Sequence, residues 1–69
     1  MIQRIDLVTS TGAKSYIVGD KVNDKIVDRI GVQSLHFQGD PYDHYVGYTK
    51  GGEMIFSINC LTPCVVEYQ

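Results

Sequence analysis

A chain of 69 residues allows one domain, close to the lower size limit for folding without a disulfide or metal staple. Hydrophobic residues make up 43% and charged residues 20%, which excludes disorder, and the apolar residues are mainly β-branched or aromatic, which favours strands over helices. Six Lys/Arg against eight Asp/Glu, scattered without a basic run, exclude duplex nucleic acid as a partner, because binding its backbone needs clustered cations.

Met1, Ile2, Gln3, Arg4, Ile5 and Asp6 alternate polar and apolar residues from the start, which is not the pattern of a signal peptide. No apolar run nears the roughly 20 residues of a membrane helix. A soluble cytoplasmic protein without membrane contact is therefore expected, with Cys60 and Cys64 reduced. The alternation defines a first strand over residues 2–9, Ile5 and Leu7 facing one way, Arg4 and Asp6 the other. Ser10, Thr11 and Gly12 make a turn into a second strand over 13–18, where Ser15 and Ile17 oppose Tyr16 and Val18.

Residues 20–30 admit two readings. Val22, Ile26 and Ile30 recur every four residues, with Asp20 as an N-cap and Gly31 as a C-terminal cap, which suits a short helix. Against this, Ile26, Val27, Ile30 and Val32 are strand-formers and Asn23-Asp24 is a turn pair. The strand reading is preferred, continuing to Phe37 with an interruption near Gly31 and leaving room for one short helical turn near residues 20–30.

Gln38, Gly39, Asp40 and Pro41 break the chain, since Gly39 permits positive φ and Pro41 holds Asp40 extended. Strands over 44–49 and 54–59 then flank Lys50-Gly51-Gly52-Glu53, a hairpin signal. Met54, Phe56 and Ile58 face one side and Ile55 the other, which reads as a central strand. Leu61, Thr62 and Pro63 kink the chain into a last strand over 64–68. The whole is an all-β single domain of about six short strands, a small antiparallel barrel or a strongly twisted sheet. Its small core and open sheet edges make a homo-oligomer the expected state.

The loop over residues 40–45 is the most informative stretch. A domain this small must spend its apolar residues on its core, yet this loop carries Tyr42, Asp43, His44 and Tyr45. Tyr offers an apolar ring and a hydroxyl at low entropic cost, so Tyr42 and Tyr45 are candidates for stacking on a base or filling a protein groove. Tyr16, Tyr48 and Tyr68 read as half-buried strand residues with wet hydroxyls.

Other constellations lack force. His36, Asp40 and His44 are spaced by four, which would align metal ligands on a helix, but Gly39 and Pro41 oppose a helix there. Cys60-x3-Cys64 is one thiol pair where structural zinc usually takes two, so buried thiols on neighbouring strands are the better reading. Cys60, His44 and Asp43 can be written as a triad, but no spacing requires it. No metal, no cofactor and no enzymatic activity are expected.

Three stretches carry a resemblance: the opening Ile-Asp-Leu-Val-Thr-Ser-Thr-Gly-Ala-Lys-Ser-Tyr, the central His-Tyr-Val-Gly-Tyr-Thr-Lys-Gly-Gly-Glu, and the closing Pro-Cys-Val-Val-Glu-Tyr. In style they resemble the small β-rich accessory proteins of bacteriophages and other mobile elements. The resemblance implies an accessory role, since some of that class counter bacterial immunity by sequestering a signalling nucleotide or by binding a defence protein directly.

Two functions follow as expectations. In the first, an oligomer sequesters a small anionic ligand such as a nucleotide: Tyr42, His44 or Tyr45 stacks on the base, Lys50, Arg29 or Lys25 meets phosphate, and Asn59 or Asp40 bonds the base or ribose, in a site shared between subunits. In the second, the chain is a protein-interaction module that inhibits or adapts a host or defence protein through the 40–45 loop, with Tyr42 and Tyr45 as anchors.

Overall fold

In the computed structural model, which describes residues 1–10, 12–34 and 42–69, the chain is all-β, with eight short strands and no helix among the described residues. The strands are β1 (Ile2–Thr9), β2 (Gly12–Ile17), β3 (Lys21–Val22), β4 (Lys25–Ile26), β5 (Arg29–Ser34), β6 (Asp43–Tyr48), β7 (Met54–Asn59) and β8 (Cys64–Tyr68). Six of them form one antiparallel sheet. β1 lies between β2 and β8, β6 lies between β5 and β7, and the two triplets join at a corner where Ile2 pairs with Ile30. The sheet curls into a half-barrel, the second of the two expected forms.

Opposite residues of an antiparallel pair share a face. Ile5 stands opposite Tyr16 on one side and Val66 on the other. Tyr45 stands opposite Val32 and Ile58, and Gly47 opposite Ile30 and Phe56. These inner faces supply the core of Ile2, Ile5, Tyr16, Val27, Ile30 and Ile58, with Leu7, Val18, Val22, Tyr45, Ile55, Phe56, Cys64 and Val66 packed around it. Phe56 stacks on Tyr16 at 4.2 Å between ring centroids, so β7 and β2 meet through their rings.

Two bulges bring extra apolar residues to this core. Ile2 pairs with Tyr68 and Arg4 with Glu67, leaving Gln3 as the surplus residue of β1. Ile2 and Ile5, of opposite parity, are therefore both buried. Gly47 pairs with Phe56 but Tyr48 with Met54, leaving Ile55 surplus in β7. Ile55 thus packs on the core, where alternation had turned it away.

Residues 20–30 hold no helical turn. β3 and β4 pair as a hairpin, Lys21 opposite Ile26 and Val22 opposite Lys25. Asn23 and Asp24 form its turn with φ of 50° and 65°. A two-residue turn with both φ positive matches the twist of the flanking strands, and Asn and Asp tolerate that region better than other side chains. The four-residue spacing of Val22, Ile26 and Ile30 comes from two short strands and their turn, not from a helix face: Val22 and Ile30 join the core while Ile26 is exposed. β7 is not central but an edge strand, paired with β6 alone among the described strands.

Residues 49–53 turn the β6–β7 hairpin. Thr49 N–H donates to Glu53 C=O at 2.8 Å, Glu53 N–H to Thr49 Oγ1 at 3.0 Å, and Gly52 takes φ of 88°. No helix of the described residues is long and apolar enough to cross a membrane.

Candidate functional site

The sheet register decides which candidate residues share a surface. Of the expected site residues, Asp40 lies outside the described residues, as does His36. Tyr42 precedes β6 and is exposed, at 47%. The strand beside it is pinned by Ser34 Oγ, which donates to Asp43 Oδ1 at 2.7 Å across the paired residues of β5 and β6. His44 follows on the outer face of β6, half-buried, opposite Gln33 and Asn59. Tyr42, His44 and Asn59 therefore belong to one end of the sheet.

Asn59 is tied to the local turn. Leu61 N–H donates to its Oδ1 at 2.8 Å and Thr62 N–H to its carbonyl at 2.9 Å. An Asx-type turn of this kind lets β7 end before the chain reverses into β8.

Arg29 and Lys50 occupy the other end. Arg29 pairs with Tyr48, and its guanidinium lies 4.4 Å from the Tyr48 ring centroid, a cation–π contact on the outer face. Lys50 is exposed in the turn that follows. Lys25, also expected to meet phosphate, is ion-paired with Glu53 of the same turn. Tyr48 lies four positions after His44 in β6, roughly 13 Å along the strand. The stacking and phosphate-binding groups expected to converge are thus set apart on one chain.

Tyr45 points to the inner face, away from His44, and packs at the edge of the core. Burial, with Cys60, Cys64 and Tyr68 nearby, pushes its phenol above the ordinary value. Burial and the Asp43 carboxylate push the Cys60 thiol up, against the opposing effect of its hydrogen bond with Tyr45. A thiol held protonated in this way is a poor nucleophile. Cys60 and Cys64 are half-buried and free, Cys64 opening β8. Among the described residues, no group of three or more His, Cys, Asp or Glu is arranged to hold a metal ion.

The described residues enclose no cavity. What the described residues offer is surface: Tyr42 at one end, Met54 exposed at the start of β7 and Leu61 just past its end, and Val8 and Val65 exposed on the outer face of the first triplet. The exposed ends of β7 escaped the sequence reading because it placed that strand at the centre of the sheet. Comparison with protein-family models, with curated proteins and with solved structures found no match.

Proposed function

We propose that this protein is a non-enzymatic interaction module that binds a protein partner through the surface around Tyr42. The observation that carries the reading is an exposed tyrosine next to a strand start braced by the Ser34–Asp43 hydrogen bond. A tyrosine has few side-chain torsions to freeze on binding, which is what makes it effective at the centre of interfaces. The resemblance to phage accessory proteins suggests that the partner belongs to a host or defence system.

Tyr42→Ala tests this. Affinity capture from the native host should recover a defined partner with the unmodified protein and lose it with the variant, whose melting temperature and circular dichroism stay unchanged. Equal recovery with both proteins would overturn the role of Tyr42.

Sequestration of a small anionic ligand is the second reading, supported by the Arg29–Tyr48 pair, where a guanidinium and a ring stand together beside exposed Lys50. It requires subunits to combine their surfaces, because a single chain separates this cationic end from Tyr42 and His44. Native mass spectrometry of protein taken from its host distinguishes the two. A stoichiometric adduct of a few hundred daltons, released unaltered on denaturation, would favour sequestration over the interaction module.

A further inference from the structure

We infer that β7 is a self-pairing edge, and that two copies of the chain join β7 to β7 in antiparallel fashion about Ser57. Among the described residues the sheet ends at the outer edges of β2, β7 and β8, and β5, paired with β1 only at Ile30, leaves a shorter stretch from Gly31 to Ser34 that opens on a strand-weakening glycine. β2 carries Lys14, and β8 carries Glu67 and follows Pro63, the charges and proline that discourage edge-to-edge pairing. β7 reads Met-Ile-Phe-Ser-Ile-Asn, with no charge, no proline and no glycine. Its bulge lies at Ile55 and leaves Phe56, Ser57, Ile58 and Asn59 in regular register.

The direction of the main-chain groups follows from the hydrogen bonds. Cys60 N–H donates to Asp43 C=O at 2.9 Å, so that position bonds toward β6. Antiparallel pairs alternate between bonded and non-bonded, so Ile58 and Phe56 also bond toward β6. The N–H and C=O of Ser57 and Asn59 then point to the open edge. The Asn59 carbonyl is already taken by Thr62, which leaves Ser57 as the residue with both groups directed outward.

A two-fold axis at Ser57 uses both groups at once. Each Ser57 N–H donates to the Ser57 carbonyl of the partner subunit, a bonded pair that is its own mate. Residues opposite each other must share a face, and this register satisfies that condition: Phe56 stands opposite the partner's Ile58, both on the inner face. These form the closer, non-bonded pair, and aromatic against β-branched is a favourable combination. The axis also carries exposed Met54 toward the end of the partner's β7, where exposed Leu61 lies. An uncharged edge meets its own copy without like charges, and a closed two-fold contact is the commonest form of assembly.

The surface differs from that around Tyr42, so the two proposals fail separately. Sedimentation velocity from about 10 μM to about 1 mM should show a reversible dimer of the unmodified chain. Ser57 is exposed, so Ser57→Lys and Ser57→Glu should fold, and each should weaken the dimer roughly tenfold or more by placing like charges across the axis. An equimolar mixture of the two should restore it, and Ser57→Ala should leave it unchanged. In the unmodified protein the Ser57 amide should exchange more slowly as concentration rises, a readout needing no variant. A monomer throughout the range, a dimer indifferent to both charges, a mixture that stays monomeric, or a Ser57 amide insensitive to concentration would each overturn the proposal.

Discussion

The Phe56 ring lies over Gly47 across the β6–β7 hairpin, so close that a Cβ at residue 47 would sit 2.0 Å from Phe56 Cε2. The ring has little freedom to retreat, since it is also stacked on Tyr16 at 4.2 Å and 22° and packed against the core. Glycine at this position is therefore a packing requirement: it lets an aromatic ring cover the strand and reach the far side of the half-barrel.

Gly47→Ala should destabilise the protein by about 1–3 kcal/mol, the usual cost of overpacking. Urea denaturation would measure it. In a Phe56→Ala background the same change should cost little, because the clashing ring is gone and alanine suits a strand better than glycine by about 0.5–1 kcal/mol. Equal costs in both backgrounds would show that the ring is not the obstacle.

The β3–β4 turn gives an expectation of the opposite sign. Asp24 has φ of 65° and an almost fully exposed side chain whose contact with Lys21 spans 4.0 Å. An exposed pair of this kind contributes little. Asp24→Gly should be neutral or stabilising by up to about 1 kcal/mol, since Asn-Gly is the preferred pair for this turn. Asp24→Val should cost about 1–2 kcal/mol, because a β-branched residue resists positive φ. Thermal melts of the two variants would separate these outcomes, and equal melting temperatures would refute the argument.

Much of this architecture was legible in the residues, for a physical reason. The bounds of β1, β7 and β8 can be read from period two, although bulges at Gln3 and Ile55 break strict alternation in the first two. What periodicity cannot report is the neighbour on either side. Met54, Phe56 and Ile58 look like a central strand because apolar residues flank them on both faces, yet Ile55 is inward only through a bulge that no local pattern announces. Val22, Ile26 and Ile30 mimic a helix because two short strands and a turn can repeat every four residues. For the candidate site, the exposure of Tyr42 could be read from its place in a polar loop. The divergence of Tyr45 from His44 follows from simple alternation. The separation of Arg29 from Asn59 depends on how β5 registers against β6, which a single strand does not encode.

Acid should expose the Arg4–Asp6–Ser15 cluster on the outer face of β1 and β2. Ser15 Oγ donates to Asp6 Oδ1, and Arg4 Nε donates to the same carboxylate at 2.9 Å. Together these hold Asp6 below its ordinary value of 3.8, the serine contributing most. The sign follows from linkage. Below 3.8 the unfolded chain binds a proton that the folded chain resists, so stability falls as pH drops through the depressed value. Stability curves between about pH 2 and pH 6 should show Asp6→Asn lacking part of the acid-side loss. Parallel curves for the two proteins would mean that the cluster is too well solvated to matter.

The alkaline side should be governed by Tyr45 and Cys60, which share a hydrogen bond at the inner end of β6 and β7. Both are raised in the folded chain: Tyr45 by burial, from 10.0, and Cys60 by burial and Asp43, from 9.0. In the unfolded chain Cys60 would ionise first near 9.0, while the folded chain still holds its proton. The folded state then binds more protons, and stability falls as pH rises through that window and on through the range of Tyr45. Cys60→Ala should flatten the first part of the loss, and Tyr45→Phe the second. Because the two groups are in contact, the double variant should change the curve by other than the sum of the single changes. Urea midpoints between about pH 8 and pH 11 would test this. Alkylation gives a second readout: Cys60 should react slowly at about pH 8 and accelerate in Asp43→Asn, which removes a neighbouring negative charge. An alkaline loss identical in all variants, with Cys60 reactivity indifferent to Asp43, would place the titrating groups elsewhere in the chain.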